Sequence, residues 1–126
     1  MRTGLTSTAL VLLAALCTAG FSPPQDAPAK ADARVIEISA ERFSFNPSRI
    51  RVTAGTQLEL RLVSEDTAHG FRILGTDVDI VIPKRGRGVT TVTFQPTAGE
   101  YTFECSQLCG AGHDFMRGVI IAVEAD

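Results

Sequence analysis

Beyond Arg34 the chain alternates apolar and polar positions with a period of two, which is the mark of half-buried strands and not of helices. Leu58, Leu60 and Leu62 alternate with Gln57, Glu59 and Arg61, the cleanest such run. Ile36, Ile38 and Ala40 alternate with Glu37 and Ser39, and Ile50 and Val52 with Arg49, Arg51 and Thr53. Val78, Ile80 and Ile82 alternate with Asp77 and Asp79, while Val92 and Phe94 sit among threonines, which suit a pleated surface. Tyr101, Phe103 and Cys105 share one face opposite Thr102 and Glu104, and Val119, Ile121 and Val123 form the last run. Turn formers fall between these segments: Asn46-Pro47, Ala54-Gly55, Gly75, Pro83 with Gly86 and Gly88, and Pro96 with Gly99. Seven or eight short strands at this spacing predict an all-β fold, a Greek-key antiparallel β-sandwich.

The N-terminal quarter reads differently. No charge occurs between Thr3 and Gln25, and Ala9 to Leu16 is continuously apolar. Arg2 before it and Cys17-Thr18-Ala19-Gly20 after it complete the layout of an export signal over residues 1–20, cleaved after Ala19 or Gly20. An uncleaved membrane anchor is the competing reading. A spanning helix needs about 20 predominantly apolar residues, and here Thr3, Thr6, Ser7 and Thr8 dilute one end while Ser22-Pro23-Pro24 stop the other. Cys17 reads as a small apolar residue of the signal, since Leu16 before it is large for a lipid-attachment site. Residues 21–33, rich in Pro and Ala, form a linker. The folded domain is expected at 34–126, in an exported, periplasmic protein, held at the outer face of the inner membrane only if the signal stays attached.

Twelve Lys and Arg against fourteen Asp and Glu leave a net charge of −2, which excludes a general nucleic-acid binder. The scarce reactive residues narrow the chemistry further. Of two His, three Cys and two Met, most fall in Cys105-Ser-Gln-Leu-Cys-Gly-Ala-Gly-His-Asp-Phe-Met116. That segment places Cys105, Cys109, His113 and Met116 as C-x3-C-x3-H-x2-M, with His69 in the loop after the Leu58–Val63 run. Cysteines of an exported protein commonly pair as a disulfide, but a C-x3-C bridge closes a very short loop and staples little. Cys2His2 also suits a structural zinc, which has no use for the methionine. Thiolate, imidazole and thioether together select copper, and Gly110 and Gly112 let the loop fold tightly around an ion. A one-copper blue site takes two His, one Cys and a weak axial Met. It leaves a second thiol unused, whereas two thiolates four residues apart can bridge a pair of ions.

The segment HGF at His69 and CSQLCGAGHDFM at 105–116 resembles the CuA domain of cytochrome c oxidase subunit II, a cupredoxin, and the resemblance spans Arg34–Asp126. It implies a dinuclear, mixed-valence centre of two copper ions that passes one electron at a time. Cys105 and Cys109 would bridge the coppers, His69 and Met116 would complete one, and His113 with the main-chain carbonyl of Gln107 the other. It also implies a redox partner such as a c-type cytochrome or oxidase subunit I, and a chain that is not an enzyme by itself.

Several positions depart from the family pattern. Gln107 stands where many members carry Glu, which weakens a second metal junction but not a carbonyl ligand. The aromatic run through which electrons commonly enter is missing, and Phe71 is its partial stand-in. Lys84-Arg85-Gly86-Arg87-Gly88 is a basic loop, either solvated or a steering patch for an acidic partner. Glu65 and Asp66, a few residues before His69, either orient its ring or are simply polar loop residues. Two other functions compete with electron transfer. Copper delivery or storage would favour an exposed exchange site, which the strand position of Cys105 does not. The electron-input domain of a larger enzyme such as nitrous oxide reductase would need many more histidines than two.

Overall fold

The computed structural model describes residues 33–126. The expected signal, and all of the linker but Ala33, lie outside the described residues. Nine strands run in chain order: β1 (Arg34–Glu41), β2 (Ser44–Asn46), β3 (Arg49–Thr53), β4 (Leu58–Ser64), β5 (His69–Ile73), β6 (Asp79–Ile82), β7 (Thr90–Phe94), β8 (Gly99–Glu104) and β9 (Arg117–Val123). A 3-10 turn at His113–Phe115 is the only helical element among the described residues, and no described helix is long and apolar enough to cross a membrane.

The strands form two sheets, ordered β2-β1-β4-β7 and β3-β9-β8-β5-β6. The all-β sandwich is as the alternation implies, but two pairings are parallel, β1 with β4 and β3 with β9. Period-two alternation fixes which face a residue takes and is blind to the direction of the neighbouring strand.

The strongest alternation gives the deepest burial. Leu58, Leu60 and Leu62 of β4 are fully buried, flanked in the same sheet by Ile38 and Ala40 of β1. Phe45 from one sheet packs edge-on against Phe71 and Phe103 of the other, with ring centroids 5.7 and 5.3 Å away. This aromatic contact ties the sheets together beneath the loops that follow β4 and β8. The Tyr101 hydroxyl donates to the Thr97 carbonyl at 3.1 Å and pins the corner before β8.

The last strand corrects the expected register. Val123 is exposed, and the core of β9 is Ile120 and Ala122, with Ile121 buried on the opposite side. Val119-Ile120-Ile121-Ala122 is apolar on both faces, so alternation cannot choose between them. The sixth strand likewise begins at Asp79, since Thr76 first closes a turn on Ile73. The peptide bonds Arg42–Phe43 and Asn46–Pro47 are cis.

Candidate metal centre

The soft donors meet at one end of the sandwich. His69 opens β5, so the strand buries its ring completely. Cys105 directly follows β8 and Met116 directly precedes β9. The Cys105 N–H donates to the Met116 carbonyl at 3.1 Å, one step past the Glu104↔Arg117 pair that ends the β8–β9 ladder. The ligand loop is therefore a long connection closed at its neck by a sheet-like hydrogen bond. Within it, the 3-10 turn carries His113 back over the sulfurs.

All six expected residues come into one chain of contacts. The two sulfurs lie 3.5 Å apart as free thiols. Cys105 Sγ faces His69 Nδ1 at 4.0 Å, and its S–H donates to the Gln107 carbonyl at 3.0 Å. Cys109 Sγ faces His113 Nδ1 at 3.7 Å and Met116 Sδ at 3.8 Å. The donor atoms of His69, Cys105 and Cys109 all lie within 4.8 Å of one another. Cys105, Cys109 and Met116 are buried, while His113 is half-buried. The Gln107 side chain is exposed, so only its backbone faces the site and the departure from Glu does not touch the donor set.

The surroundings sharpen this geometry. His69 Nε2 lies 2.6 Å from Asp66 Oδ1. Burial raises the Asp66 carboxyl, but hydrogen bonds from His69 and from the Arg42 and Thr67 backbone N–H groups outweigh it, and the group sits below the ordinary carboxylate range. An ionised Asp66 accepts a hydrogen bond from Nε2–H, which leaves the Nδ1 lone pair turned toward the sulfurs. Ser64 fixes the loop by accepting the Asp66 N–H at 3.1 Å. Of the two acids weighed from sequence, Asp66 orients His69 and Glu65 stays exposed.

Burial, then the hydrogen bond and the charge of Cys105, push the Cys109 thiol up to about 11. In the metal-free chain this thiol keeps its proton at neutral pH, and a metal binding there displaces it.

On the outer face, Glu104 lies between Arg72 of β5 and Arg117 of β9. Arg72 Nε donates at 2.8 Å and Arg117 Nε approaches to 3.4 Å. These three line a cavity of about 160 Å³ with Cys105, His113 and Asp114, so solvent reaches the site past His113.

Two expectations about the rim change. Phe71 is fully buried in the aromatic cluster and offers no access for electrons. The exposed apolar residues beside the donors are Leu108 and Phe115, at 82% and 83% exposure, both on the ligand loop itself. Arg42 was missed altogether. Its Nε donates to the Cys109 carbonyl at 2.8 Å, and no local motif marks it.

The donors fit a soft metal. Two unpaired thiols, two imidazole Nδ1 atoms, a thioether and a carbonyl converge at a largely buried site, and among the described residues this contacting donor set includes none of the carboxylates a hard cation needs.

Comparison with known proteins agrees with this fit. Residues 7–122 match the family described as "Cupredoxin-like domain". Over 89 residues the chain is 32% identical to cytochrome c oxidase subunit 2 of Thermus thermophilus, covering 71% of this chain and 65% of that relative. A chain of a heme-copper terminal oxidase dimer solved by cryo-EM is 26% identical with a TM-score of 0.61, covering 85% of this chain and 77% of that one. The periplasmic domain of subunit II of the Bradyrhizobium japonicum cytochrome oxidase shares the fold at 20% identity, with a TM-score of 0.66 over 75% of this chain and 86% of that one.

Proposed function

Because the chain belongs to the cupredoxin-like domain family, we propose that it transfers single electrons through a dinuclear copper centre of the CuA kind. One observation carries this reading: two free sulfurs 3.5 Å apart, each facing its own imidazole. A one-copper site would take both imidazoles but only one of those sulfurs, and would leave the other without a purpose. Cys105 and Cys109 would be shared by both ions, with His69 and Met116 on one and His113 and the Gln107 carbonyl on the other. Bound there, two coppers would supply a one-electron store whose charge is spread over both ions.

The chain's own residues set the conditions for that store. The buried His69, Cys105 and Met116 are held by strand ends, so the donor positions change little between redox states. Asp66 fixes the His69 ring and leaves Nδ1 free to bind. Leu108 and Phe115 give the loop an apolar outer surface beside half-buried His113, a short path from a docked partner to the sulfurs. Burial of His69, Cys105, Cys109 and Met116 argues against copper delivery, which needs ligands open to exchange.

The partner would be a c-type cytochrome or an oxidase catalytic subunit, on the periplasmic side. The names of the Thermus and Bradyrhizobium relatives support both assignments. Any oxidase activity would belong to such an assembly and not to this chain.

Copper analysis with EPR of the exported protein is the decisive test. Two coppers per chain, with one unpaired electron coupled to both nuclei, are expected; one copper per chain would overturn the reading. Met116→Leu should keep both ions and shift mainly the reduction potential, because a thioether is a weak ligand and leucine conserves the buried volume. Voltammetry and copper analysis check this together, and loss of metal would contradict it.

A further inference from the structure

The turn between β1 and β2 touches both halves of the site, although it lies far from either in sequence. The Arg42 backbone N–H donates to Asp66 Oδ2 at 3.0 Å, and the other oxygen of that carboxylate holds His69 Nε2. The Arg42 side chain reaches the opposite way, its Nε donating to the Cys109 carbonyl at 2.8 Å. Phe43, half-buried, lies against the same loop. A Cβ at Gly110 would meet its ring at 2.9 Å, and one at Gly112 would overlap it. These two glycines flank the approach of the loop to the ring, so the loop backbone rests directly on Phe43.

Resting on the metal reading above, we infer that Arg42 and Phe43 form a positioning brace that sets the distance between the His69 side and the Cys109 side of the centre before metal arrives. Neither residue supplies a donor atom. Arg42 acts through Asp66 on one imidazole and through a peptide carbonyl on the loop bearing the second thiol. Arg42 is exposed, so its side chain contributes little to the core, and its hydrogen bond to the loop is the contact a substitution removes. The Arg42 backbone N–H to Asp66 survives any side-chain change, which isolates the Cys109 arm for testing.

Arg42→Ala and Arg42→Gln separate the donor from the charge. The test follows copper release to a chelator from the loaded protein, and amide exchange across residues 105–116 in the metal-free protein. Arg42→Ala is expected to speed copper release by about 10–100-fold, the usual cost of removing a group that orients a metal ligand. It should also raise amide exchange in the loop while the β4 and β8 amides keep their protection. Arg42→Gln, with a neutral N–H donor, should recover part of both effects. A general loss of stability would raise exchange everywhere and is thereby told apart. Unchanged release and unchanged loop exchange in Arg42→Ala, with the unsubstituted chain holding two coppers, overturn the brace alone. An unsubstituted chain that holds no copper overturns the metal reading and the brace with it.

Discussion

Cys105→Ser and Cys109→Ser are each expected to leave a folded chain that no longer holds two coppers. The loss follows from ligand chemistry, since a hydroxyl at neutral pH is neither anionic nor soft, and cannot be shared between two copper ions as a thiolate can. The fold should survive. Both sulfurs sit at the end of the sandwich, beyond the last ladder pair of β8 and β9, and serine at 105 can still donate to the Gln107 carbonyl that now accepts from the thiol at 3.0 Å. Metal-free variants should therefore unfold within a few degrees of the unsubstituted protein while their copper content falls to one or none. Copper analysis beside thermal unfolding checks both halves. A Cys109→Ser protein that retained two coppers and the coupled EPR signal would refute the shared-sulfur reading.

Gly70→Ala should damage the site by a different route, through crowding. Gly70 follows His69 on β5 and lies directly under the start of the ligand loop. A Cβ there would come within 2.5 Å of the Gln107 backbone nitrogen and 2.8 Å of that of Ser106, and would overlap Ser106 Oγ. The obstacle is mostly backbone, so no side-chain rotation relieves it. Ser106 is also tethered, its hydroxyl donating to Asp79 at 2.6 Å. Overpacking of this kind costs about 1–3 kcal/mol, or roughly 5–20 °C in Tm for a domain of this size. The larger effect should be on copper, because the displaced residues include the Gln107 carbonyl and the neighbour of Cys105. Thermal unfolding and copper retention of Gly70→Ala measure the two effects separately; a Tm and copper content both unchanged would contradict the close approach.

The donor loop was legible in the sequence because its chemistry is concentrated. Cys105, Cys109, His113 and Met116 fall within one short segment, and residues so rare in this chain stand out there. His69 could be added by scarcity, as the one remaining histidine. Arg42 could not be found that way. It lies 24 residues from Asp66 and 67 from Cys109, and joins them only because β1 pairs beside β4 and the turn after β1 comes up under the loop. One of its two contacts is made by its backbone, which any residue but proline offers. The parallel pairings escaped for a related reason, since the alternation of β1 and β4 is the same whichever way the strands run. From the sequence Phe71 is a partial stand-in for an electron-entry aromatic, yet the β5 register turns it inward onto Phe45 and Phe103. Phe115, two residues after His113, held the exposed position instead.

The hydrogen bond from Cys105 to Met116 carries one more consequence. It finishes the hairpin of β8 and β9 before any of the intervening residues is needed, so those residues form a cassette set on a completed scaffold. On the metal reading proposed above, a segment of another length between the same two anchor points would present a different set of donors at this end of the molecule while the sheets beneath stay as they are.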